Sequence, residues 1–141
     1  MAFDGTVIAA VTAELKEKLL GARISKIQQP EKDELIITVH QNKNYRLLLS
    51  ANASLPLVYL TEKTREAPLQ SPTFCMLLRK YIGSARITDI YQPDFERIIC
   101  FRLEHLDELL DKKSKLLIIE IMGKHSNIIF CDEDMTVLDS I

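Results

Sequence analysis

LIITVHQNKNYRLLL, residues 35–49, decides the fold class. Two runs rich in β-branched and apolar residues, 35–39 and 45–49, flank the turn-type sequence Gln41-Asn42-Lys43-Asn44. Such a pairing predicts an antiparallel hairpin. Working upstream, Arg23-Ile24-Ser25-Lys26-Ile27 begins a strand, and Pro30-Glu31-Lys32-Asp33 reads as the turn into residue 35. Downstream, 57–60 reads as a short strand, and 85–91, 97–103 and 116–122 as three more. The polar segment HLDELLDKKS (105–114) is expected to form the loop between the last two. Gly123-Lys124-His125-Ser126 is a tight turn into a strand at 127–130. Thr136-Val137-Leu138 opens one further run, which reaches Ile141 with nothing expected to pair with it. The reading is therefore one domain over 1–141, cut from a longer multidomain chain, with a truncated strand after residue 135.

Two segments follow a helical period instead. In 4–20, Val7, Val11, Leu15 and Leu19 recur every four residues, Asp4 is placed to cap the first turn, and Gly21 to stop the last. Phe3 and Ile8 occupy the two positions of a hydrophobic staple. A second helix starts at Ser71-Pro72, with Ser71 as cap and Pro72 at the first helical position. Its apolar face is Phe74, Leu77, Leu78 and Tyr81, with Arg79 and Lys80 turned away and Gly83 at the end. Sequential strands, short turns and two helices give an α+β class, mainly antiparallel: a β sandwich or partly open barrel.

The 141 residues are 47% hydrophobic and 27% charged, which is globular rather than disordered composition. The N-terminus lacks the basic and apolar regions of a secretory signal, and no apolar run has the length of a membrane span. Cys75, Cys100 and Cys131 lie far apart inside apolar runs and read as buried small hydrophobes. The expected setting is cytoplasmic, without membrane contact.

The net charge of −2 hides unlike parts. Residues 1–70 sum to +1, 71–102 to +2 and 103–141 to −5. Only the middle third is plausibly anion-facing, and four of its five cations are Arg, whose guanidinium forks suit phosphate and base edges. No Walker loop, dinucleotide fingerprint, His-Glu-x-x-His or Gly-x-Ser-x-Gly is present, and the three histidines lack ligand spacing. No metal or cofactor is expected.

Two stretches nevertheless carry candidate chemistry. Glu96-Arg97 stands at a strand entrance, where a carboxylate can accept from base amino groups and a guanidinium can fork onto phosphate. Gly123-Lys124-His125 offers a close backbone approach beside two donors. An edge ion pair and a plain hairpin turn explain the same residues without a ligand.

FCMLLRK (74–80), ERII (96–99) and EIMGKHSNII (120–129), with the MAFDG start, closely resemble the N-terminal domain of NFACT proteins. This family comprises RqcH or fibronectin-binding-protein-A-like proteins of bacteria and ribosome quality control relatives in eukaryotes. The resemblance covers the whole chain. It implies a fold like the N-terminal domain of Fpg/Nei glycosylases, and a non-catalytic tRNA-binding role. The full protein would bind obstructed large ribosomal subunits, with rRNA contact, and promote template-free alanine tailing of stalled chains, which points to alanyl-tRNA. The family's Asp-Arg pair for tRNA falls on Glu96-Arg97, where Glu's added methylene carries the carboxylate outward. Asp4 matches a further acidic residue of the family, and Arg79, Lys80, Lys124 and His125 complete the expected tRNA-binding set. Glycosylases of that fold use an N-terminal proline amine, whereas residue 2 here is Ala. The alternative the family name offers is a fibronectin-binding surface adhesin, which would need non-classical export.

Overall fold

Asp4 starts the first helix as its sequence predicts: the carboxylate accepts the Val7 N–H at 2.9 Å, and α1 runs Gly5–Leu19. The computed structural model describes residues 4–52, 57–62, 68–94 and 96–141. Phe3 of the expected staple lies outside them. Ile8, Thr12, Leu15 and Leu19 are the buried positions of α1, because a strict four-residue spacing drifts around a helix of 3.6 residues per turn. Thr12 is tolerated there since its hydroxyl donates to the Ile8 carbonyl at 2.7 Å. Gly21 closes the helix at φ +87, a conformation that disfavours any side chain.

Among the described residues nine antiparallel strands follow: β1 Arg23–Glu31, β2 Glu34–Gln41, β3 Lys43–Ser50, β4 Leu57–Thr61, β5 Arg86–Tyr91, β6 Ile98–Leu106, β7 Lys112–Glu120, β8 Asn127–Asp132 and β9 Val137–Ser140. The second helix, α2 Thr73–Ile82, separates β4 from β5. The strands form one open sheet in the order β4-β3-β2-β1-β5-β6-β7-β8-β9. Two meanders, β1 to β4 and β5 to β9, thus meet at β1 and β5, whose register is the single pair Arg23 with Arg86.

One face of both meanders encloses a common core. Leu35, Ile37 and Leu49 of the first and Ile99, Phe101, Ile119 and Phe130 of the second share it with Leu15 of α1 and Leu78 of α2. On the opposite face of β6 to β8, Cys100, Leu116, Ile118 and Cys131 make a smaller cluster. Burial on both faces explains why these strands read as continuous apolar runs rather than alternating ones. All three cysteines are free and buried.

The structure corrects several expected boundaries. β1 continues through Pro30, which sits at a register shift between Gln28 and Glu31 where no ladder N–H is required, so the turn shrinks to Lys32 and Asp33. Half of 105–114 is strand: His105 pairs with Lys113 and Leu106 with Lys112. Their polar side chains face solvent from a hairpin end, and only 107–111 turns, held by Asp107 Oδ1 accepting from the Leu109 and Asp111 N–H groups at 2.9 Å. Ser71 does not cap α2; Pro72 occupies that position, and the Ser71 hydroxyl accepts from Arg79 Nη1 at 2.8 Å. Gly83 is required by space rather than by φ, since a Cβ would stand 2.6 Å from the Arg79 carbonyl. The run after residue 135 does find a partner: β9 pairs with β8.

The core predicts a sharp contrast. Phe130→Ala, at 0% exposure, should cost about 3–5 kcal/mol in chemical denaturation. Leu69→Ala, fully exposed, should change stability by less than about 0.5 kcal/mol.

Burial also makes a pH prediction. It pushes the Cys100 thiol from 9.0 up to about 11, with Tyr91 as a hydrogen-bond partner drawing it back and the Cys131 thiol raising it further. Cys75 and Cys131 are raised in the same direction by burial. A raised folded value means the native state favours the neutral thiol. That stability is complete below 9.0 and is lost as pH climbs towards about 11. Urea midpoints should therefore fall across that window in the wild type and fall less in Cys100→Ala.

Candidate nucleic-acid interface

Glu96 and Arg97 stand just before β6, after the bend 92–94, where Asp94 takes φ +46. What fixes this segment is Gln92. Its side-chain Nε2 donates to the Gly5 carbonyl at 3.0 Å and to the Glu96 carbonyl at 2.8 Å. One amide, 87 residues beyond Gly5 in the chain, thus ties the first turn of α1 to the Glu96-Arg97 segment. On the other side, Ile121 N–H donates to the Arg97 carbonyl at 2.8 Å, which brings the end of β7 to the same place.

The result is an open cavity of about 500 Å³ lined by Asp4, Gly5, Glu96, Arg97 and Met122. Asp4, Glu96 and Arg97 all expose their side chains, and none of the three joins a salt bridge among the described residues. Two carboxylates and one guanidinium converge at the start of α1. Such a set accepts from base amino groups or ribose hydroxyls at two points and donates a planar fork at a third. With net charge −1 among these side chains, the set suits polar groups better than a run of phosphates.

Met122 carries the cavity into a 3-10 turn, Gly123–His125. Ser126 holds that turn, its hydroxyl accepting the Met122 N–H at 2.8 Å, and Gly123 adopts φ +59 with nothing within 4 Å of a Cβ. Lys124 and His125 are exposed on this turn, next to the cavity in sequence but outside its lining.

Arg79 and Lys80 belong elsewhere. They occupy the last turn of α2, where cations complement the helix dipole. Arg79 is committed to β1, its Nε donating to the Ile27 carbonyl at 2.9 Å. Lys80 lies 5.2 Å from the centre of the Tyr81 ring, which Lys115 approaches at 5.4 Å. His105 meets the edge of the same ring, and burial holds its imidazole below the ordinary value.

Of the seven residues expected from sequence, the structure therefore unites Asp4, Glu96 and Arg97, sets Lys124 and His125 beside them, and separates Arg79 and Lys80. Gln92 was not foreseen. A lone glutamine before a proline carries no motif, and its role depends on a carbonyl far away in sequence.

A family model described as NFACT N-terminal and middle domains matches residues 4–141. The Rqc2 homolog RqcH of Bacillus subtilis (strain 168) is 42% identical over 139 residues, covering 98% of this chain and 24% of that protein. The ribosome quality control complex subunit NEMF of Homo sapiens is 25% identical over 137 residues, covering 97% of this chain and 12% of that protein. Among solved structures, the N-terminal domain of fibronectin-binding protein PavA from Streptococcus pneumoniae superposes with TM-score 0.95 at 40% identity, covering 99% of this chain and 53% of that one. The chain spans about a quarter of the length of the bacterial relative.

Gln92→Ala should remove both ties at once. The expected cost is about 1–2 kcal/mol, with faster hydrogen exchange at the Ile121 amide that bonds Arg97. Exchange at Ile121 unchanged from wild type would show that Gln92 does not hold the segment.

Proposed function

Because the chain belongs to the NFACT family, whose members include ribosome quality control factors, we propose that it is the non-catalytic tRNA-binding domain of such a factor. In this reading the longer protein binds obstructed large ribosomal subunits, contacts rRNA there, and promotes template-free alanine tailing of stalled chains, with alanyl-tRNA as the ligand. The observation that carries it is the convergence of Asp4, Glu96 and Arg97 on one cavity, with Gln92 fixing their spacing. Arg97 supplies the fork for phosphate or a base edge, while Asp4 and Glu96 accept from amino or hydroxyl groups. Nothing in the set is arranged as a nucleophile with a base: no cysteine lines the cavity, and each of the three thiols is buried. The setting is cytoplasmic, at the ribosome.

The Glu96→Ala, Arg97→Ala double variant of the protein carrying this chain should lose tRNA co-purification while keeping its melting temperature. Recovery of tRNA at the wild-type level would sink the assignment.

One observation favours a second reading. PavA, whose N-terminal domain superposes closely, is described as fibronectin-binding. Saturable fibronectin binding by the purified protein, unaffected by the same double substitution and without RNA affinity, would favour an adhesin.

A further inference from the structure

The sheet sets two arginines against each other. Arg23 and Arg86 are cross-strand partners at the β1/β5 junction. The bonds Ile24 N–H to the Ala85 carbonyl and Ile87 N–H to the Ala22 carbonyl, both 2.8 Å, flank the pair without joining it. That is the narrow kind of antiparallel pair, in which side chains lie closest, and like charges directly opposite destabilise a sheet. Both arginines are exposed, and neither forms a salt bridge within 4 Å among the described residues. Arg23 gives one guanidinium N–H to the Ser84 carbonyl at 2.9 Å, which fixes its direction without neutralising it. Glu104, the partner of Arg86 in β6, makes no ion pair with it either.

The pair opens onto a predominantly cationic concave surface. Arg23, Arg79, Lys80, Arg86 and Lys112 line a cleft of about 690 Å³ in which, among the described residues, Glu104 is the single carboxylate. A second cleft of about 430 Å³ continues from the same Arg23 and Arg86 past Ser25, His40 and Asn42, and no carboxylate among the described residues lines it. A chain of net charge −2 thus gathers five cations against one carboxylate. A sheet that tolerates unneutralised arginines side by side is arranged for an anion supplied from outside.

We propose that this cleft binds the sugar–phosphate backbone of RNA without reading its sequence. Three of its five cations are guanidinium groups, which fork onto phosphate oxygens. The surface is a groove that continues across the strands, which follows a strand of phosphates better than it fits a flat bilayer. It lies at the far end of α1 from Asp4, about 22 Å away along a 15-residue helix. The choice of RNA among polyanions rests on the functional reading above; Arg79 and Lys80 of the tRNA-binding set expected from sequence line the cleft, whereas Asp4, Glu96 and Arg97 do not.

Arg86→Gln, Lys112→Gln and their combination, made in the protein carrying this chain, test the proposal by fluorescence anisotropy with poly(U), poly(A) and a mixed-sequence RNA duplex across a salt series. Affinity should fall for all three RNAs. On the single strands, the slope of log K against log salt should drop by about 0.7 for each cation removed. The melting temperature of Arg86→Gln should hold or rise, because the like-charge pair is relieved. Unchanged affinity and slope would overturn the proposal. So would binding losses confined to phosphatidylserine vesicles or polyglutamate, or losses that appear only in variants that melt lower than wild type. The two sites separate cleanly: Glu96→Ala with Arg97→Ala should leave the sequence-independent binding of poly(U) in place. If the cleft variants bind RNA as wild type while that double variant loses tRNA, the cleft fails and the functional reading stands; the converse fails the reading and keeps the cleft.

Discussion

The two halves of the sheet are joined at one place. β1 and β5 meet through the Arg23–Arg86 pair and the bonds around it, with Gly21 N–H adding a third at 2.8 Å to the Ile87 carbonyl. Every other strand pairing lies within a meander. So few hydrogen bonds cannot align two meanders by themselves; the shared core must do it, and both helices take part. α1 packs on β5 and also on β2, and α2 on β1 and also on β6, so each helix bridges the junction. Ile24 and Ile27 of β1, with Ala85 and Ile87 beside them, bury the inner side of the seam. Charge is thereby forced to the outer side, and the arginine pair results from a seam that must be apolar within and wet without.

As proposed, the two regions divide the labour of recognition. The Asp4, Glu96 and Arg97 set is small, mixed in sign and held at defined spacing by Gln92. Such a site gains from geometry, because a misplaced acceptor loses its bond and leaves a polar group unanswered. The cleft at the seam is larger, predominantly cationic, and lined by long side chains. It gains from charge, through release of counterions from a polyanion, and needs no fixed geometry. Backbone contacts that position a nucleic acid and polar contacts that discriminate it are commonly carried by different groups. Here they lie at opposite ends of one helix.

Much of this was legible in the sequence, for reasons that differ by element. The 35–49 hairpin was readable because its apolar residues and its turn are adjacent in the chain. The Asp4 cap was readable because capping is a three-residue event. Polarity misled at 105–114, where a hairpin end facing solvent carries the same side chains as a loop. It misled at Ser71 as well, since the hydroxyl answers a guanidinium one helix turn and more away instead of a backbone amide. Gln92 and the arginine pair were out of reach. Each depends on a partner brought close by topology alone, 87 residues away for Gln92 and across the seam for Arg23.

Dividing the charge along the chain found a basic middle segment but drew its border in the wrong dimension. The cleft takes Arg23 from residues 1–70, Arg79, Lys80 and Arg86 from 71–102, and Lys112 from the acidic segment 103–141. Several of the middle cations are meanwhile committed within the fold. Arg102 pairs with Glu133 at 3.6 Å, and Arg79 is bound to the Ile27 carbonyl. The acidic segment is offset in the same way where Lys115, almost buried, meets Asp132 at 3.0 Å. Net charge along a sequence sets the field far from the surface, where contributions blur within a Debye length or so. A phosphate at the surface feels only the side chains that line its groove. Under the proposal, the formal −2 therefore governs how this chain meets a polyanion at a distance, and the Arg23–Arg86 seam governs what happens on contact.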